Sequence, residues 1–410
     1  MPATVSPDYV YLDYAATAPL CEEALEAMKP YLTCGRDNLA LNMNANSLHS
    51  PGRAAFEALE AARKSIARDI GASRPSEVIF TSGSTESDDT VLLGVAPAAA
   101  EARRAASGSF TPHVIVSDIE HEAVLMPAKR LEQQGFRVAR LRPDSRGFIT
   151  ADALEGAIDA DTVLVSIQAA NSELGSVEPV RELAAITHAH GALFHVDATQ
   201  ALGKMPLDVR EWGADAASFS AHKVGGPKGI GALYVRDGVK MHTNAFGGGQ
   251  ERGLRSGTEP VFLAAGFARA AELAQAEHEE TLAHVRALSA QIRAELARLV
   301  PDAIVNSPED ASPFIVSVSV PGLRNAKSVA YLSDRGVYAS RASACESNHE
   351  HVAAGTWRKK HPLSLQAAGI PLSQGNTTLR VSFSGATTPD DVDRFVATLA
   401  ECNAELGSRK

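Results

Sequence analysis

Through the first two-thirds of the chain, short apolar and β-branched runs alternate with stretches rich in Ala, Glu and Arg. The runs Val78–Thr81, His113–Asp118, Arg137–Leu141, Thr162–Gln168, Leu193–Asp197, Ala217–Ser220 and Gly231–Arg236 predict seven strands. Several are almost wholly apolar, as strands covered on both faces must be. Between them, segments such as Ala54–Ile70 carry apolar residues at helical spacing, and Ala96–Ala106 reads as the end of a helix rather than a linker. This alternation predicts an α/β fold, a mostly parallel seven-stranded sheet between layers of helices. From Val261 to about Val300 the pattern predicts one long amphipathic helix. After it come a strand (Phe314–Val320), a helix (Ala326–Arg335), a loop through Ser340–Ser347, a strand (Thr378–Phe383) and a last helix from Asp390. That order describes a smaller α/β unit joined to the first by the long helix.

Composition narrows the function classes without choosing one. The chain has 410 residues, 45% hydrophobic and 21% charged, as globular proteins do. Its 39 Lys+Arg against 49 Asp+Glu leave a net charge of −10, with no block of basic residues, which argues against nucleic acid or an anionic membrane as partner. Met1–Tyr14 lacks the basic start and apolar run of a secretion signal, and no stretch approaches the ~18 apolar residues of a membrane span. A reducing, cytoplasmic setting is the expectation. The four cysteines, Cys21, Cys34, Cys345 and Cys402, show neither paired nor metal-ligand spacing, so no metal is expected. Cys21 and Cys402 fall in helical patterns and Cys34 lies beside Gly35, so all three read as filler.

Four segments carry candidate chemistry. Thr81-Ser82-Gly83-Ser84-Thr85-Glu86-Ser87 follows an apolar strand and opens a helix, where free backbone N–H groups and a small-residue turn suit an anion. Ordinary helix capping uses the same residue types. Asp197 ends an apolar strand, and a carboxylate there needs a positive partner, either a structural Arg or a protonated ring nitrogen. Lys223 lies between a strand and the glycine-rich turn Val224–Gly229; a desolvated lysine there becomes a Schiff-base nucleophile, whereas most lysines are simply exposed. Pyridoxal phosphate satisfies all three together, with an aldehyde for Lys223, a ring nitrogen for Asp197 and a phosphate for the Gly83–Thr85 turn. The fourth segment, Tyr338–Ser347, surrounds Cys345 with small residues and places Arg341 close enough in sequence to favour a thiolate.

These segments, with Val10–Thr17, Glu120-His121, His195–Gln200, Ser220–Gly229, Gly247–Arg252 and Arg255–Thr258, resemble the NifS/IscS-type cysteine desulfurases of the class V aminotransferase group. The likeness runs in order along nearly the whole chain. It implies a fold-type I pyridoxal-phosphate enzyme and a homodimer, with a large cofactor domain at 16–262 and a small domain of 1–15 with 263–410 bearing the cysteine loop. Lys223 then matches the lysine that binds the cofactor and moves protons at the substrate Cα, Asp197 the partner of the ring nitrogen, Gln200 that of the ring hydroxyl, and His121 the catalytic histidine that stacks on the ring and serves in proton transfer. Ser84 and Thr85 at the helix start, Ser220 and His222 match phosphate ligands; Thr258 matches one donated by the second subunit. Arg380 matches the arginine for the substrate carboxylate, with Asn171 and Ser172 beside the substrate. Cys345 matches the nucleophile that takes sulfur from L-cysteine as a persulfide, leaves L-alanine, and passes the sulfur to an acceptor protein. The resemblance also leaves room for a selenocysteine lyase or another β-lyase on this scaffold. The chain departs from the family where Asn171-Ser172-Glu173-Leu174-Gly175 replaces the usual Asn-Asn-Glu-Ile-Gly, and in the basic stretch Trp357–His361.

Overall fold

The computed structural model describes residues 8–32, 43–341 and 363–407. Its main sheet has seven strands: β1 (Val78–Thr81), β2 (His113–Ser117), β3 (Arg137–Leu141), β4 (Thr162–Gln168), β5 (Leu193–Asp197), β6 (Ala216–Ser220) and β7 (Gly231–Val235). Their order is β3-β2-β4-β5-β6-β7-β1, and only β7 runs against its neighbours. All residues of β1, β2, β4, β6 and β7 are buried, whereas the edge strand β3 keeps Arg137 and Arg140 exposed. One face packs Phe194 and Phe219 against Leu59 and Ile66 of the helix Ser50–Asp69 and Phe267 of the helix Val261–Ala276. The other face packs Val114, Val116 and Leu164 against Val91, Val95 and Leu131. In register, Gln168, Asp197 and Ser218 lie side by side at the C-terminal end of β4, at the C-terminal end of β5 and within β6.

The Ala-rich patch is the second half of one helix. That helix starts as Ser84–Thr90, widens to a π turn at Val91–Val95 and continues as Ala96–Ser107. The single long helix expected over 261–300 is instead two, Val261–Ala276 and His278–Leu299, broken at Glu277 (φ −95°, ψ 3°). The break follows the packing. Val261, Ala264, Phe267 and Ala271 belong to the core under the main sheet, while Val285, Leu288, Ile292 and Leu296 belong to a second core. That second core lies between the final helix Pro389–Leu406 and a three-stranded antiparallel sheet, β8 (Ile304–Val305), β9 (Ile315–Ser319) and β10 (Thr378–Ser382), with β9 central.

The N-terminal segment joins the two cores. Val10–Tyr11 pairs in parallel with Val337–Tyr338, and Val10, Leu12 and Ala15 are buried in the second core. The Ser382 amide donates to the Leu12 carbonyl (2.8 Å), and the Ala15 amide donates to Ser382 Oγ (2.9 Å). No helix among the described residues is long and apolar enough to cross a membrane.

Buried Glu178 makes stability depend on pH. One carboxyl oxygen accepts from the Ile149 amide (2.7 Å), and burial pushes the group up from 4.5 to about 8. The folded state therefore holds a proton that the unfolded chain releases. The stability from this group is complete below pH 4.5 and is lost as pH rises to about 8. Glu178→Gln should flatten the change in urea midpoint between about pH 5 and pH 8; an undiminished change would contradict this.

Candidate active site

A cavity of about 150 Å³ opens at the C-terminal ends of β4 and β5 and just beyond β6, lined by Ala15, Ala16, Ser84, Thr85, His121, Gln168, Ala170, Ser172, Asp197, Thr199, Gln200, His222, Lys223 and Arg380. Open α/β sheets gather ligands at this end of their strands. Ser220 lies just beneath, 3.7 Å from where a Cβ on Gly83 would sit.

Each functional side chain has a local reason for its place. Lys223 ends a single 3-10 turn (Ala221–Lys223) that follows β6 directly, and Gly225, at φ +82°, turns the chain back in a left-handed conformation that glycine adopts without strain. Lys223 Nζ donates to the carbonyls of Ala15 (2.6 Å) and Ala16 (2.9 Å). Asp197 is 7% exposed; its Oδ1 accepts from the Thr199 amide (2.9 Å). The turn at Ser82–Thr85 sits tightly on β7, since a Cβ on Gly231 would come 2.4 Å from the Phe219 carbonyl oxygen and 2.7 Å from the Gly83 backbone. Such approaches exclude any side chain at 231 without displacing the turn.

Three histidines meet this region in different ways. His121 caps the helix Glu122–Gln133, its Nδ1 accepting from the Ala123 amide (3.1 Å). An acceptor at Nδ1 in the neutral ring puts the proton on Nε2. His222 touches Thr17 Oγ1 through Nδ1 (3.1 Å), and burial, with Lys223, Lys228 and Lys204 nearby, lowers it to about 4, so it is a neutral ring. His195 lies below the cavity, bonded to Ser166 Oγ (2.8 Å) and Ser218 Oγ (3.0 Å), and burial holds it near 3. Burial, reinforced by Asp197, pushes the carboxyls of Asp88 and Glu120 well above the usual range.

Arg380 is 2% exposed. It donates to Asp13 Oδ1 (2.7 Å) and to the Ser172 carbonyl (3.0 Å), while its Nε has no hydrogen-bond partner. Arg380 lines the cavity, where a guanidinium suits an anion. It is the Ser172 main chain that holds Arg380, so the shorter side chain there leaves this support unchanged. Asn171 does not line the cavity. Its Nδ2 donates to the Ile119 carbonyl (3.1 Å) and Ser364 Oγ (2.9 Å), and its Oδ1 accepts from the amides of Glu173 and Leu174, which fixes the 171–175 turn. Thr258 is exposed and does not line the cavity of its own chain. Cys345 and Cys34 lie outside the described residues; Cys402 is buried and Cys21 half-buried.

Sequence reasoning left four supports unassigned. Asp13 sits inside the Val10–Thr17 motif but shows its role only through Arg380. Glu251 forms a buried pair with Arg63 (2.6 and 2.8 Å) and also accepts from the Phe80 amide (3.2 Å), while Arg255 pairs with Glu86 (2.8 Å) beside the Ser82 turn. Lys204 donates to Gln200 Oε1 (2.8 Å). Its spacing of four from Gln200 was the one local signal.

The sheet order and the convergence of a lysine, an aspartate and an anion-binding helix start define a fold-type I transferase, a class that works with pyridoxal phosphate. The chain belongs to the aminotransferase class-V family, whose model matches residues 10–395. It is 38% identical over 385 residues to cysteine desulfurase IscS of Dictyoglomus turgidum, covering 94% of this chain and 92% of that one. It is likewise 38% identical over 389 residues to cysteine desulfurase IscS 1 of Archaeoglobus fulgidus, covering 95% of each. Among solved structures, a NifS-like protein superposes with a TM-score of 0.86 at 36% identity, over 97% of this chain and all of that one. SspA in complex with cysteine superposes with a TM-score of 0.75 at 32% identity, over 92% of this chain and all of that one.

Proposed function

We propose that this protein is a pyridoxal-phosphate-dependent cysteine desulfurase that converts L-cysteine to L-alanine and carries the sulfur as a persulfide on Cys345. The observation that carries the reading is the convergence of Lys223, Asp197, the Ser84–Thr85 turn and Arg380 on one cavity. The donor set fits the cofactor: an amine for the aldehyde, a carboxylate for the ring nitrogen, and helix-start amides with Ser84, Thr85, Ser220 and His222 for the phosphate. His121 would cover the ring and Gln200 would meet its hydroxyl. Bound there, pyridoxal phosphate supplies an electron sink for charge at the substrate Cα.

The remaining work belongs to the chain. Arg380, braced by Asp13 and the Ser172 carbonyl, takes the substrate carboxylate; Ser172 borders the substrate, and Asn171 holds the turn that presents it. Lys223 accepts and returns the Cα proton. Cys345, as thiolate, attacks the substrate sulfur; the C–S bond breaks as the new S–S bond forms, so L-cysteine and the enzyme thiol become L-alanine and enzyme persulfide. An acceptor protein then removes the outer sulfur.

A homodimer follows from the same reading, with Thr258 completing the phosphate site of a second copy. Phe246 (86% exposed) and Leu48 (89% exposed) support it, since large apolar side chains this open call for a cover. Leu48 lies two residues from Asn46, whose Nδ2 donates to Glu259 Oε2 (2.8 Å), next to Thr258 in the chain. The two cores support division into a large unit beginning at residue 16 and a small one made of 1–15 and the C-terminal part, with the helix Val261–Ala276 assigned to the large unit. We place the enzyme in the cytoplasm, with neither nucleic acid nor membrane as partner.

The test is incubation with L-cysteine, followed by alanine assay and intact-mass measurement. One added sulfur on the wild-type protein is expected, and none on Cys345→Ala, which should keep its cofactor absorbance. Alanine release from L-selenocysteine but not from L-cysteine would overturn the substrate assignment.

A further inference from the structure

Behind the cavity wall, bonded to the lining residue Gln200, lies a second amine that the reaction as described does not use. Lys204 lies four residues after Gln200 and points its Nζ at Gln200 Oε1 (2.8 Å). The other end of that amide, Nε2, donates to the Ala15 carbonyl (2.9 Å), and the same carbonyl accepts from Lys223 Nζ (2.6 Å). Lys204 and Lys223 are thus linked through one amide and one peptide oxygen. An ammonium can only donate and a carbonyl can only accept, so these neighbours allow Gln200 a single orientation, Oε1 toward Lys204 and Nε2 toward Ala15. Gln200 can therefore offer only a donor to an oxygen in the cavity.

We propose that Lys204 is a positioning residue that fixes the Gln200 amide and, by its charge, lowers the proton affinity of the nitrogen on Lys223. The charged groups around it are Lys223 and Arg380, the latter with its partner Asp13, and Asp197 on the same cavity; the His222 ring is neutral. Like charges in a desolvated site each disfavour the other's protonation. Consistent with that, burial first, then Lys223 and Arg380, bring Lys204 down to about 7. Its charge therefore changes across neutral pH.

The inference rests on Lys223 carrying the cofactor, and the experiment separates the two. In the holoenzyme, the visible absorbance of the Lys223-bound cofactor is titrated with pH for wild type, Lys204→Met and Lys204→Arg. Lys204→Met should raise the midpoint by roughly one unit, tenfold in proton affinity, and turn a broad two-step curve into a single-proton curve. Lys204→Arg should stay near wild type. An unmoved or lowered midpoint in a Lys204→Met holoenzyme with wild-type circular dichroism would overturn the proposal, as would an equal rise in both variants. If Lys204→Met fails to fold, Lys204→Gln replaces it under the same criteria. Absence of any lysine-bound visible band in wild type would instead sink the proposed function.

Discussion

Lys223→Ala is expected to abolish the visible band of the bound cofactor and to lower the rate of alanine formation by at least about 10³-fold. Two losses combine in that figure. Proton transfer by a positioned side chain contributes about 10²–10⁴-fold, and the same amine is the covalent anchor. Among the described residues that line the cavity, Lys223 is the only lysine. Lys204 is held on Gln200 instead. Cofactor added to the variant should still bind weakly through the Ser84–Thr85 turn. Absorption spectra of protein dialysed with and without added cofactor, together with single-turnover alanine assays, provide the check. A retained band that survives dialysis would mean that another group carries the aldehyde.

The second large effect is on stability. Glu251→Gln should cost about 3 kcal/mol or more, read as a lower urea midpoint, and should speed loss of cofactor on dialysis. Breaking one partner of a buried pair typically costs about 3–5 kcal/mol, and Arg63 keeps only the partly exposed Glu60 (2.8 Å), which puts the cost at the lower end of that range. Arg63 is nearly fully buried and stacks over Phe80 at 4.9 Å, so water cannot replace the lost carboxylate. The backbone adds to the effect. Glu251 (φ +48°) and Arg252 (φ +60°) are consecutive non-glycine residues in the left-handed region, at about 1–2 kcal/mol each, and the ion pair holds them there. The same loop reaches the phosphate turn through Arg255 and Glu86. Wild-type stability with faster cofactor loss would separate the two roles and contradict the common cause.

Much of the main sheet was legible because strands covered on both faces must be apolar, and all seven runs appear as strands within a residue or so of their expected ends. The candidate site was legible in pieces. Thr85, Asp197 and Lys223 each sit next to a strand end, and a parallel sheet brings such ends together whatever their distance along the chain. What stayed hidden had no local signature. Glu277 is neither Gly nor Pro and interrupts no pattern, so only the divergence of two cores marks the helix break. The pair Arg63–Glu251 spans 188 positions, and Arg380–Asp13 spans 367. Strands of two residues, such as Val10–Tyr11, are too short to show any periodicity.

The segment Val10–Thr17 pairs with Val337–Tyr338 and bonds to Ser382 of the smaller sheet, and its Ala15 and Ala16 carbonyls cradle the reactive amine. Any hinge between the lobes therefore tugs on that cradle. A displacement of the second core would thus be passed along the N-terminal strap to the nucleophilic nitrogen.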